Sequence, residues 1–201
     1  MFMYFVYAIV IGYLLGSIPF ALVIGKVFYH TDVREFGSGN LGGSNAGRVL
    51  GKKAAIATIA LDVLKVVAAV AISAQFDAAA SIWAGLAAAI GHCYPLFAGF
   101  RGGKAVATMF GFLLSTAIFT FQSAWYVVIP FLFFLAVLKL SKMVSLSSMV
   151  AAVSSTVYIL IMQHDPAITA ASLLLTLLVI YRHRANIARI RSHTENKITW
   201  M

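Results

Sequence analysis

MYFVYAIVIGYLLGSIPFALVIG, residues 3–25, contains no charged side chain. At 1.5 Å per residue a helix over this stretch is about 35 Å long, enough to cross the ~30 Å hydrocarbon core of a bilayer. Gly12, Gly16 and Pro19 interrupt it, which spanning helices tolerate. Further apolar runs lie at about 54–74, 79–97, 143–162 and 166–181, with a longer one at about 105–138. That longer run exceeds one comfortable crossing and is least apolar at STAIFTFQS, 115–123, so it divides into a fourth and a fifth span. The expectation is an all-α polytopic membrane protein with seven transmembrane helices, forming one integral-membrane domain over 1–201. Composition agrees. Hydrophobic residues make up 62% of the chain and charged ones 10%, against about 25% charged in soluble domains. Mean hydropathy is +0.94. A soluble enzyme, a disordered tail and a disulfide scaffold are all excluded. The opening MFMYF has no positive side chain and its apolar run continues, so a cleaved signal peptide is not expected.

The net charge of +9 reports membrane topology here, not nucleic-acid binding. With the N-terminus outside, segments 26–53, 101–104, 139–142 and 182–201 fall on one side. They hold every Lys and Arg except Lys65. The opposite turns hold Asp77, Gln122, His164 and Asp165 and no Lys or Arg. The positive-inside rule then gives an external N-terminus and a cytoplasmic C-terminus. Cys93 is the single cysteine, which leaves no internal disulfide and no cysteine metal cluster.

Three segments on the basic side carry unusual chemistry. FGSGNLGGSNAGR, 36–48, packs five glycines, two serines and two asparagines into thirteen residues. Such a segment turns tightly and exposes N–H groups. Ser38, Asn40, Ser44 and Asn45 add neutral donors and acceptors, and Arg48 suits a phosphate or carboxylate. The plainer account is a flexible loop followed by topogenic Arg48, Lys52 and Lys53. GHCYPLFAGFRGGK, 91–104, places Arg101 and Lys104 around Gly102 and Gly103 at the entry to a span, a pattern suited to cradling phosphate. It lacks nucleotide P-loop spacing, because Ala105 follows Lys104. The plainer account is a charged turn. RHRANIAR, 182–189, sets His183 and Asn186 three residues apart on one helix face, among Arg182, Arg184 and Arg189. A basic tail against anionic headgroups is the alternative.

Asp62 and Lys65 lie three apart inside the second span. Charges at that depth need a partner or a polar interior. The pair either locks helix packing or organises Arg48 and the glycine-rich segment from behind, and His92 is assigned the same supporting role. No HExxH, HxxxxD, paired carboxylates or metal-ligand cluster is present in the sequence. An enzyme built this way would work by binding and orienting anions, with no metal and no cofactor.

At this point the chain resembles the acyl-phosphate-dependent glycerol-3-phosphate acyltransferases of bacterial membranes. SGNLGGSNAGR at 38–48, GFRGGKAVAT at 99–108 and RHRANIAR at 182–189 match that family's three motifs in order. GSIPF at 16–20, the Asp62/Lys65 pair and GHCYPLF at 91–97 add to the likeness. The resemblance implies transfer of a fatty acyl group from acyl phosphate to the first hydroxyl of sn-glycerol 3-phosphate. The products are 1-acyl-sn-glycerol 3-phosphate (lysophosphatidic acid) and inorganic phosphate. It also implies a multi-pass protein of the bacterial inner membrane with its active-site loops cytoplasmic. The implied partners are the two substrates, membrane lipids and an upstream enzyme that forms acyl phosphate; the protein is expected to act as a monomer and to bind no nucleic acid.

The resemblance assigns roles by position. Ser38, Arg48, Lys104, His183 and Asn186 form the catalytic set. Asn40, Asn45, Arg101, Gly102, Gly103 and Lys104 bind substrate. Three positions depart from the family pattern: Ala105 replaces a usual glycine, Gly43-Ser44 replaces a common Ala-Thr, and Ala185 replaces an acidic residue. The alternative from the residues alone is a small transporter of phosphate or a phosphorylated lipid precursor. A third is a non-catalytic lipid-binding subunit.

Overall fold

The computed structural model describes residues 2–162 and 165–199. Its described residues form helices and connecting turns, with no strand. The chain separates into two compact units, Met1–Ser115 and Thr116–Met201.

The first unit begins with α1 (Phe2–Gly16) and α2 (Phe20–Tyr29). The two are separated at Ser17–Pro19, where proline has no N–H to continue the ladder. Next come α3 (Gly43–Leu50), α4 (Lys52–Ala74) and α5 (Ala78–Cys93), followed by a 3₁₀ turn over Leu96–Ala98. α6 (Val106–Phe119) starts in this unit. Asp77 caps α5, its carboxylate accepting from the N–H groups of Ala79 and Ala80 at 2.9 and 3.0 Å.

α1 lies against α5 along a seam of small residues. A Cβ on Gly12 would overlap the Ala84 backbone, and one on Gly16 the Ala88 backbone. Helices in lipid have no hydrophobic drive toward each other, so close backbone approach supplies their association. The Tyr13 hydroxyl donates to the Tyr94 carbonyl at 2.9 Å along the same seam. α3 is a helix despite its glycines, for a related reason. A Cβ on Gly43 would strike the Ile59 side chain, and one on Gly47 would lie 2.9 Å from the Ala55 Cβ. Packing against α4 overrides the poor helix propensity of glycine.

The second unit contains α7 (Trp125–Ser141), α8 (Val144–Met162), α9 (Pro166–Arg182) and α10 (Arg184–Arg191). Asp165 caps α9 and Pro166 occupies its first turn. Gln163 and His164, expected to complete the turn before α9, lie outside the described residues. α8 and α9 are joined by hydroxyls. Thr156 Oγ1 lies 2.9 Å from both Ser172 Oγ and Thr176 Oγ1, and Thr176 donates to the Ala152 carbonyl at 2.8 Å.

The apolar run at 105–138 is broken between Phe119 and Trp125, just where its polar dip predicts. Four helical stretches are long and apolar enough to cross a bilayer: Phe2–Tyr29, Lys52–Ala74, Ala78–Ala98 and Val144–Met162. The pair α9–α10, bent by 55°, makes a fifth. α6 and α7 are shorter, at 14 and 17 residues. The architecture is therefore an all-α polytopic membrane protein with four to five long apolar helices. Ile59, Leu64, Ile72, Leu160, Ile161, Leu174 and Leu177 are exposed on outer faces, where lipid tails replace water.

Candidate active site

In the first unit the polar segment after α2 folds into a compact turn held by one side chain. Asn45 is buried and its amide is fully used. Its Oδ1 accepts from the Ser38 N–H at 2.8 Å and from Ser38 Oγ at 3.2 Å. Its Nδ2 donates to the carbonyls of Val33 and Phe36 at 2.9 and 3.3 Å. Gly37 and Gly39 adopt left-handed φ values of 61° and 64°, which this tight course requires. Asn45 thus shapes the turn that presents Ser38, whose side chain is exposed. Arg48 projects from the last turn of α3, exposed and outside any ion pair among the described residues. Asp32 is held by Arg34 through contacts of 2.9 and 2.6 Å. These bonds keep the Asp32 carboxyl well below the ordinary carboxylate range.

Asn40 connects this turn to the second motif, its Nδ2 donating to the Gly102 carbonyl at 3.1 Å. Gly39 and Arg101 line one cleft of about 470 Å³ together with Asp32, Arg34 and Glu35. Arg34 is spoken for by Asp32, so Arg101 is the cation this cleft offers to an anion. Gly102 and Gly103 are buried, and Lys104 is half-buried just beyond them. The Gly103 N–H donates to the His92 carbonyl at 2.9 Å. That donor therefore serves the fold.

Ala105 is fully buried with φ of 62°. A left-handed L-residue costs roughly 1–2 kcal/mol, a cost that the glycine expected here from the family resemblance would avoid. In Ala105→Gly the strain relief is offset by loss of a buried methyl worth about 0.8 kcal/mol and by greater unfolded-chain freedom. We expect its stability to stay within about 1 kcal/mol of the parent. Ala105→Val places a β-branched side chain in the same left-handed, filled site and should lose about 3 kcal/mol. Thermal unfolding in detergent separates the two, and equal melting points would contradict the strained turn.

Beneath the loop, Asp62, Lys65 and His92 are all buried. Lys65 Nζ lies 2.7 Å from Asp62 Oδ1. Its aligned hydrogen bonds go elsewhere, to the Ile18 carbonyl at 2.9 Å and to His92 Nδ1 at 3.1 Å. The Ile18 carbonyl sits at the break before Pro19, so the ammonium satisfies an acceptor that the interrupted helix leaves behind.

The second unit carries the third motif. His183 marks the bend between α9 and α10, and its Nδ1 lies 2.7 Å from the Val179 carbonyl. A carbonyl only accepts, so Nδ1 carries the hydrogen in this bond. Asn186 is buried and donates through Nδ2 to Glu195 Oε1 at 2.6 Å. Ser145 Oγ donates to the same oxygen at 2.7 Å, and Arg189 Nε to Oε2 at 2.8 Å. Burial opposes the charged form of Glu195, yet these three bonds prevail and hold its carboxyl below the ordinary glutamate range. The Ile198 N–H then docks on the Lys142 carbonyl at 2.8 Å. Ser145 and Glu195 are contributors that the sequence reading did not single out. Among the described residues no cluster of His, Cys, Asp or Glu suited to a metal ion is present.

Relatives match nearly the whole chain in sequence and in fold. The glycerol-3-phosphate acyltransferase family matches residues 6–193. The glycerol-3-phosphate acyltransferase of Geobacillus kaustophilus is 47% identical over 193 residues, covering 96% of this chain and 95% of that protein. That of Listeria monocytogenes is 48% identical over 195 residues, covering 95% of each. The crystal structure of PlsY (YgiH), an integral membrane glycerol 3-phosphate acyltransferase, in its glycerol 3-phosphate form, superposes with a TM-score of 0.89. It is 32% identical, with 97% of this chain and 96% of that chain covered. The lysophosphatidic acid form gives a TM-score of 0.85 at 31% identity, covering 97% and 95%. Near-complete matches in sequence and in fold place the chain in one family: it belongs to the glycerol-3-phosphate acyltransferases of the PlsY type, integral-membrane enzymes.

Proposed function

We propose that this protein transfers a fatty acyl group from acyl phosphate to the sn-1 hydroxyl of sn-glycerol 3-phosphate, releasing lysophosphatidic acid and inorganic phosphate. The observation that carries the reading at the site is the Asn40–Gly102 hydrogen bond. It ties the Ser38–Arg48 segment to the RGGK loop, so two anion-handling motifs share one neighbourhood. Acyl phosphate is a mixed anhydride with a good leaving group, so the reaction needs little acid catalysis. The hydroxyl oxygen forms the new ester bond to the acyl carbon. The bond from that carbon to the phosphate oxygen breaks, the electron pair leaves with phosphate, and the hydroxyl proton ends on a phosphate oxygen. The enzyme's tasks are to hold two anions side by side and to stabilise the carbonyl oxygen.

Arg48 and Lys104 offset the repulsion between the two anions. Ser38 donates to the developing oxyanion. Arg101 and Lys104, on either side of Gly102 and Gly103, receive the glycerol phosphate. His183 and Asn186 enter through the family motif as substrate-orienting groups. The whole chain acts as one catalytic domain and as a monomer, supplied by an upstream enzyme that makes acyl phosphate.

The chain crosses the bacterial inner membrane seven times, with an external N-terminus, a cytoplasmic C-terminus and cytoplasmic motif loops. The asymmetry of basic residues supports this arrangement. A reporter fused after Met201 should be cytoplasmic, and a tag inserted at 75–79 external. Both on one side would overturn the topology.

The function is tested with purified protein, acyl phosphate and glycerol 3-phosphate, measuring lysophosphatidic acid and free phosphate together. Equal yields of both are expected, and acyl thioesters of coenzyme A or acyl-carrier protein should be inert. Efficient use of a thioester would overturn the donor assignment. Glycerol phosphate accumulation in vesicles without covalent turnover would favour transport.

A further inference from the structure

The reaction as written uses neither Asp62 nor Lys65 nor His92, yet all three are buried, at 1%, 5% and 5% exposure. Asp62 and Lys65 lie roughly 15–20 Å along α4 from its start, a depth where unpaired charge is costly. The three side chains form one cluster. Lys65 Nζ lies 2.7 Å from Asp62 Oδ1 and 3.1 Å from His92 Nδ1. His92 Nδ1 is also 3.4 Å from Asp62 Oδ1, so one edge of the ring faces both members of the pair.

The opposite edge of the ring meets the RGGK loop. A Cβ on Gly103 would coincide with His92 Nε2 and crowd Cε1 and Cδ2. The His92 carbonyl accepts the Gly103 N–H and also fills the space beside Gly102. From the other side Asn40 holds the Gly102 carbonyl. The two glycines are thus gripped between the first motif and a histidine whose orientation is set from below. A pair serving only to join helices would have no need to place an imidazole between itself and a loop.

We propose that Asp62, Lys65 and His92 are positioning residues for the acceptor site. Lys65, neutralised by Asp62, fixes the His92 ring, and the ring sets the backbone course of Gly102–Gly103 that delivers Lys104 to glycerol 3-phosphate. None of the three touches substrate. The inference rests on the acyl-transfer reading and on Lys104 as the phosphate ligand.

The test compares His92→Ala, His92→Gln and the double variant Asp62→Ala/Lys65→Met. The double variant removes both charges together and so avoids stranding one in the interior. Steady-state kinetics are taken for each substrate, with melting points alongside. For His92→Ala and the double variant, KM for glycerol 3-phosphate should rise roughly tenfold or more, because the loop that carries its ligand has lost its seat. KM for acyl phosphate should move no more than about twofold, since that contact is not carried by the loop. His92→Gln, whose amide can accept from Lys65 and still fill the seat, should recover most of the loss. Acceptor KM values unchanged from the parent would overturn the proposal. So would a loss shared equally by both substrates and tracking the melting point, or a His92→Gln no better than His92→Ala. If the double variant does not insert, the Gln and Ala variants decide alone. A parent protein that makes no lysophosphatidic acid would instead overturn the acyl-transfer reading.

Discussion

Lys104→Ala should lower kcat/KM for glycerol 3-phosphate by roughly 100- to 1,000-fold, whereas Lys197→Ala should change it by less than about twofold. The difference follows from where the two ammonium groups sit. Lys104 is half-buried behind two buried glycines that are fixed on both sides. A charge in such a place interacts with phosphate far more strongly than one in water. Lys197 is exposed in the terminal tail, where solvent and salt screen it. The loss at Lys104 should fall on KM for the acceptor first, and on kcat to the extent that the ammonium aligns the hydroxyl. Initial rates over a range of glycerol 3-phosphate at fixed acyl phosphate separate these effects. A correctly folded Lys104→Ala enzyme with near-parent kinetics would remove the phosphate-handle role.

The second large effect is on folding. Gly16→Val should lose on the order of 4 kcal/mol, a large share of the 5–15 kcal/mol that holds a typical domain together. The added Cβ falls on the Ala88 backbone, which cannot yield as a flexible side chain would. α1 must then move away from α5, which breaks the Tyr13–Tyr94 bond. It also disturbs the Ile18 carbonyl that receives Lys65. Val10→Ala, at a position 48% exposed on the outer side of α1, is the matched control and should be nearly silent. Yield and melting point of the purified proteins report the outcome. A Gly16→Val protein that melts with the parent would show that the seam is not tight.

Much of the fold is legible in the sequence because lipid imposes a simple rule of length and apolarity. The dip at 115–123 marks the break between α6 and α7. α3 is not legible. Gly43 and Gly47 read as loop, and only their fit against Ile59 and Ala55 of α4 makes a helix the better state. At the site, residue types and spacing single out three segments but not the contacts within them. Asn45 looks like a ligand and proves to be the keystone of the Ser38 turn. Glu195 looks like solvated tail, yet donors from residues 145, 186 and 189 converge on it. The Ser145–Glu195 bond spans fifty residues, and the nearer pairings depend on how the chain turns between them, which no helix or strand periodicity encodes. Ala105 is the reverse case: a departure in sequence that the backbone makes intelligible, since its φ is the one glycine would adopt freely.

The glycine seam also sets an order of assembly. Gly16 and Ala88 are separated by about 70 residues of chain. A ribosome adding roughly 5–20 residues per second therefore releases α5 several seconds after α1. Through that interval the grooved face of α1 has no partner from α5 and must be covered by lipid or by the insertion machinery. α1 thus waits in the membrane for a neighbour that is made only after two further helices, α3 and α4, have followed α2 out of the ribosome.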